Sequence, residues 1–272
     1  KPHVSLAEFQ HGCWLVFWGF FKKVVIADNL SDIAGRAYAD TSLAGGDVWV
    51  GVVAFAFQIY GDFSGYSDIA RGAARMLGYN LMLNFRVPYF ATNPREFWAR
   101  WHVSLSTWLR DYLYIPLGGN RGGAWLTYRN LALTMLLGGL WHGAAWTFVL
   151  WGVYQGVLRI GHRLALQAGL ALVPKGRLMA AAWWVVRVAV MFQLVCVGWL
   201  IFRSPSLSGL WHMVQGIVTN PVLTGEGLRW LWQIAALCWP LCLVQILQEA
   251  TGDIDIVLRL SAPLRGALYA VL

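Results

Sequence analysis

His102, in Trp101-His102-Val103-Ser104-Leu105-Ser106, and His142, in Trp141-His142-Gly143, are the side chains of this sequence best suited to moving a proton. They lie 40 positions apart, each among apolar and aromatic neighbours. An imidazole kept from water stays neutral, and its lone pair can take a proton from a hydroxyl, which is general-base chemistry. At membrane depth a titratable group is unfavourable by about 2.5 to 3.5 kcal/mol on insertion scales, so by default it marks a substrate path or reaction centre. In a soluble protein a lone histidine on an apolar face is more often a satisfied core residue. The charge-free surroundings of His142 reverse that preference, whereas His102, nearer a polar face, is balanced between packing and function. His3, His11, His162 and His212 sit near ends or charges and read as bland.

Several other chemistries have no support. There is no H-E-x-x-H, and Gly61-Asp62-Phe63-Ser64-Gly65 has the wrong order for a nucleophile elbow. The glycine-rich stretch Gly118 to Gly123 lacks the Lys and Ser/Thr of a phosphate-binding loop, and it reads as a plain loop. No histidine is followed five residues on by aspartate, which removes the H-x4-D arrangement of glycerolipid acyltransferases. Of the four cysteines (Cys13, Cys196, Cys238 and Cys242), the closest pair has i,i+4 spacing, so all four read as small buried hydrophobes. No metal site is expected.

The elements that carry the histidines are legible from spacing. Asn93-Pro94-Arg95-Glu96 is a helix start, with Asn at the N-cap, Pro at N1 and Glu at N3 able to bond back to the cap. The expected helix continues through Phe97 to Tyr114 and breaks near Pro116. Trp98, Trp101, Leu105, Trp108, Leu109, Tyr112 and Leu113 share one face, opposite Arg100, Ser104, Thr107 and Asp111. His102 maps to the apolar side with Ser106 one turn on. Such a helix either lies in the membrane interface or re-enters the membrane to deliver His102 to a cavity. Leu131 to Leu158 contains no Asp, Glu, Lys or Arg. As one helix it would reach roughly 42 Å against a hydrocarbon core of about 30 Å, so it must tilt or break, most readily at Gly138-Gly139 or Gly143 beside His142.

Composition places these elements in lipid. The 272 residues are 58% hydrophobic and 12% charged, with 17 tryptophans; mean hydropathy is +0.53. Soluble domains carry about 25% charged residues. Further apolar runs are Phe9 to Phe21 with Lys22 and Lys23 as snorkelling ends, Val48 to Tyr60 continuing to Asp68, Ala180 to Phe202 and Leu228 to Leu247. Trp49, Trp183, Trp184, Trp199, Trp230 and Trp232 flank such runs as headgroup anchors, although some of the tryptophans must line the interior. Arg187, inside its run, takes a snorkelling, structural role. Ser206 to Val218 reads as a short surface helix. The net charge of +8 reflects topology rather than nucleic-acid binding. From Asp62 to Arg129 eight arginines face four acids, which puts this segment on the cytoplasmic side. The chain begins at Lys1-Pro2 and stops inside an apolar run from Gly266, so it reads as an internal piece of a longer protein. No internal repeat or soluble domain is found.

Phe21 to Leu30, Gln58 to Asp68, Arg95 to Arg121 and Leu137 to Trp146 together resemble the membrane-bound O-acyltransferase superfamily, most closely its bacterial alginate O-acetylase branch. The resemblance implies an all-α, polytopic integral membrane protein: a single membrane domain over residues 1–272, with a re-entrant or interfacial helix around a central tunnel. It implies that His142 is the catalytic residue and His102 its upstream partner. Trp141, Ser106, Arg110 and Asn130 complete the candidate set as substrate contacts. Two departures stand out: Gly61, where a bulkier residue is usual, and Ala99, where arginine is usual and its loss could weaken contact with an anionic donor. The resemblance further implies acetyl-CoA as donor substrate with no bound cofactor, an exported polysaccharide as acceptor, periplasmic acetyltransferase partners, and a multi-pass location in the bacterial inner membrane. The rival from another class is a transporter or export channel, which predicts broken helices in two related halves; a silent scaffold of an export complex is a third reading.

Overall fold

The computed structural model describes residues 4–170 and 174–271, and every regular element among them is helical. His3 lies outside them, as does the last residue of the closing apolar run. The elements form two compact units: one made of the chain up to Val87 and from Met213 onward, the other of Pro88–His212.

In the first unit, Ser5 and Glu8 form a reciprocal capping box that starts α1 (Leu6–Phe20). At fifteen residues α1 alone reaches about 22 Å, and the helix continues past it without a break, Phe21 keeping the right-handed helical conformation. A π-helical segment, Phe21–Ala27, leads into α2 (Asp28–Ala39), followed by the 32-residue α3 (Gly45–Met76). Two glycine pairs let α1 lie against α3. A Cβ on Gly19 would stand 2.6 Å from the Gly65 carbonyl oxygen, and one on Gly72 would stand 2.5 Å from that of Gly12. At Gly61 a Cβ would fall 2.9 Å from the Lys22 carbonyl, so the bulkier residue usual at this position has no room.

Lys22 corrects the sequence reading. It does not snorkel: it is 2% exposed, and its Nζ donates to Ser64 Oγ at 3.0 Å and Asp68 Oδ2 at 2.7 Å. The wider π turn swings this lysine onto the α3 side, where Asp68 also accepts from Arg71. Only Lys23 keeps to the surface, paired with Asp28 and Asp62. Helix α10 (Gly225–Thr251, with Pro240 inside it) is joined to α3 at both ends of their contact. Buried Asp47 accepts from the Thr224 amide and hydroxyl, and Gln245 Nε2 donates to Tyr60 Oη at 2.6 Å.

In the second unit, Asn93 caps α4 (Pro94–Arg100), accepting from the Glu96 amide with Pro94 in the first turn, as the sequence indicates. The Glu96 carboxylate reaches one residue further back than expected, accepting from the Thr92 amide and hydroxyl. Burial pushes this carboxyl up, but the Thr92 donors and the Arg100 guanidinium more than offset it and hold it below the usual range. The helix expected to run unbroken to Tyr114 instead stops at Arg100. It resumes as α5 (Val103–Leu109) and a π segment, Arg110–Tyr114. The charge-free run divides where its length requires, into α6 (Ala124–His142) and α7 (Trp146–Gln167). Gly139 packs on the Phe148 carbonyl, and a Cβ on Gly152 would lie 2.6 Å from that of Met135, so the paired glycines serve close helix packing. Helix α8 (Arg177–Arg203) packs on α7, with Tyr154 Oη donating to the Leu194 carbonyl.

The chain passes between units within α9 (Leu207–Thr219), and short α11 (Ile256–Arg259) and α12 (Ala262–Val271) close it. Three helices, α3, α8 and α10, are long and apolar enough to cross a membrane. The tryptophans divide between roles: Trp232 is exposed, whereas Trp199 and Trp230, expected at the headgroup boundary, are buried in packing contacts. The cysteines divide too, with Cys196 and Cys238 buried but Cys13 exposed.

Candidate active site

The break between α4 and α5 has a local cause. His102 adopts the left-handed conformation (φ +44°, ψ +57°), one of two non-glycine residues among those described with positive φ. Such a backbone is unfavourable for an L-residue and persists only where its surroundings over-determine it. Trp101 supplies that constraint. It is buried, stacks on Phe97 at 5.7 Å, meets the Trp199 ring at a tilt at 4.9 Å, and its carbonyl accepts from Ser106 Oγ at 3.1 Å. With the tryptophan pinned, the chain reverses at the next residue and presents the half-buried His102 ring beside Ser104, whose Oγ lies 3.3 Å from Nδ1.

His142 ends α6, where the helix stops at Gly143 (φ +156°). A side chain at Gly143 would meet the Phe148 ring at 2.9 Å, so the break is shaped for glycine. The imidazole is ringed by aromatics from three helices, with centroid separations of 5.0 Å to Trp141, 5.3 Å to Trp151 and 4.9 Å to Phe202. Each is edge-on, the geometry aromatic pairs favour, so the ring is oriented without a polar tether. No described residue hydrogen-bonds to His142. Among the described residues its nitrogens are therefore unengaged, and its ring is half-buried rather than sealed.

Trp141 links the two histidines. Its indole, 58% exposed, stands edge-on to His102 at 6.2 Å as well as to His142. The structure thus brings three of the six sequence candidates together, although 40 residues separate the histidines. The other three have partners of their own. Ser106 is spent on the Trp101 carbonyl, Arg110 forms an exposed bidentate pair with Asp111, and buried Asn130 donates to the Gly119 carbonyl while accepting from Arg129. Asn130 therefore organises the glycine-rich loop. Sequence reasoning missed Trp151, Phe148 and Phe202, because an aromatic in an apolar helix carries no signal of which ring it will face. Among the described residues no three His, Cys, Asp or Glu side chains converge as a metal site would require.

Residues 4–202 match the sequence profile of the membrane-bound O-acyltransferase family. The chain is 49% identical over 209 residues to a probable alginate O-acetylase of Azotobacter vinelandii, covering 77% of this chain and 40% of that protein. It is 47% identical over 213 residues to a probable alginate O-acetylase of Pseudomonas aeruginosa, covering 78% and 39%. To a peptidoglycan O-acetyltransferase of Helicobacter pylori it is 40% identical over 222 residues, covering 80% and 40%. The chain therefore spans about two fifths of the length of these relatives.

Proposed function

The chain belongs to the membrane-bound O-acyltransferase family, and from that premise we propose that it carries the catalytic histidines of a membrane O-acetyltransferase. The donor is acetyl-CoA on the cytoplasmic side. The acceptor is a hydroxyl of an exported polysaccharide such as alginate, or of a periplasmic partner protein that completes the transfer. Support for the polysaccharide comes from the names of the relatives; the difference between the alginate and peptidoglycan enzymes leaves the acceptor to be identified by assay. The cell membrane that suits this chemistry is the bacterial inner membrane.

The observation that carries the reading is the unengaged imidazole of His142 in its aromatic ring. In the proposed step its lone pair takes the acceptor hydroxyl proton as that oxygen attacks the acetyl carbonyl. The C–S bond then breaks, and the imidazolium returns the proton to the departing thiolate, leaving an ester and free CoA. Desolvation keeps the ring neutral beforehand, which is the form a base requires. His102, across the Trp141 indole, acts on the acyl carbonyl or the donor.

The test uses the full-length protein in membranes with its exported partners and labelled acetyl-CoA. Wild type is compared with His142→Ala at matched expression. A loss of about 100- to 10,000-fold in label transferred is expected for removal of a general base. Equal labelling would remove the proposed base and leave the protein a conduit or scaffold.

A further inference from the structure

Away from His102 and His142, the second unit holds a cavity of about 170 Å3 lined by the start of α4, by α7 and by α8 from Trp183 to Leu194. Its walls are hydrocarbon: Trp183, Val186, Val190, Met191 and Leu194 of α8, with Pro94. Its polar end is formed by Arg187, the one arginine among the described residues of the lining, with the His162 ring, Thr92 and Asn93. Arg187 donates to Thr92 Oγ1 at 2.7 Å, a neutral partner that holds the guanidinium in place without cancelling its charge. Arg95 follows Pro94, Arg159 lies one helical turn before His162, and both charges, with that of Arg187, act on the His162 ring.

Among the described residues none of Arg95, Arg159 and Arg187 is ion-paired to a carboxylate. The one acid beside them in sequence, Glu96, is occupied by Thr92 and Arg100. Arg187, the guanidinium that lines the groove, has the neutral Thr92 as its partner, and a cation at the end of an apolar groove gains when an anion joins it. Val186 and Val190 are exposed on α8, a helix long and apolar enough to span a membrane, so the groove reaches the helix surface.

We propose that this groove binds an anionic phospholipid, its phosphate held by Arg187 and His162 with Arg95 and Arg159 beside them, and its acyl chain laid along Trp183, Val186 and Val190. The match is of both halves: a bare anion would satisfy the arginines and leave the apolar wall uncovered, and a neutral lipid would do the reverse. The arginine bias that orients this segment to the cytoplasm places the site at the leaflet richer in anionic lipid. The groove contains none of the residues assigned to acyl transfer.

The experiment reconstitutes the full-length protein in bilayers of equal phosphatidylglycerol and phosphatidylcholine, extracts it, and counts retained lipids by native mass spectrometry. Wild type is expected to be enriched in phosphatidylglycerol, and Arg187→Gln to lose about fivefold of that enrichment, the share of one cation at an anionic surface. Arg187→Lys should keep most of it, and Val190→Trp, which fills the apolar half, should lower retention without touching a charge. Equal enrichment in wild type, Arg187→Gln and Val190→Trp at matched monodispersity would overturn the proposal. So would complete displacement of the lipid by millimolar inorganic phosphate, which would make this a site for a bare anion.

Discussion

His102 holds backbone strain at the break between α4 and α5. Its left-handed conformation costs about 1 to 2 kcal/mol in any L-residue other than glycine. A glycine would fit the same turn without that cost, although it raises the entropy of the unfolded chain. His102→Gly is therefore expected to unfold within about 1 kcal/mol of wild type while acetyl transfer falls at least about tenfold. Thermal unfolding in detergent and the labelled-acetyl assay measure the two separately. Full activity in this variant would reduce His102 to a packing residue. From the sequence His102 was evenly balanced between these roles. With Trp101 pinned by Phe97, Trp199 and Ser106, the next side chain stands beside Trp141, and the variant above decides between the two roles.

At the level of elements, starts and interruptions were read with unequal success. The cap of α4 and the division of the charge-free run near Gly143 follow from local chemistry: an Asn-Pro start and an apolar run too long for the membrane. The stop at Arg100 does not, since nothing in Arg100-Trp101-His102 breaks a helix by propensity. The π segment after α1 is equally silent in sequence, and it decides the fate of Lys22. With its cation buried against Asp68, Lys22→Met should destabilise the first unit by about 3 kcal/mol, the low end for breaking a buried pair because Arg71 still neutralises Asp68. Lys22→Met with Asp68→Leu should recover most of that loss, since removing both charges leaves no orphan. Thermal unfolding of the two variants checks this, and an unchanged Lys22→Met would show that Arg71 alone suffices for Asp68.

For the molecule as a whole, charge asymmetry is the strongest topological signal. Eight arginines from Asp62 to Arg129 predict that the loop after the second π segment faces the cytoplasm. A cysteine at exposed Arg121, in full-length protein carrying Cys13→Ser to remove the exposed native thiol, should react with an impermeant maleimide in inside-out vesicles and not in intact cells. Labelling from outside would reverse the orientation and separate this segment from a cytoplasmic thioester. Family membership was legible at the same scale, because the motifs that carry it extend in order along most of the chain.

The sequence by itself determined the helical class, the membrane setting and the family, and it singled out the two histidines as candidates, since these depend on composition, on periodicity and on short motifs whose residues are neighbours in the chain. Tertiary structure decided which tryptophans are core, that Lys22 is buried, that Asn130 serves a loop, and that Trp151 and Phe202 ring His142. The physical reason is common to all four. Apolar and aromatic side chains on a membrane helix look alike along the sequence, and only the packing of one helix on another selects the face each presents and the partner it meets.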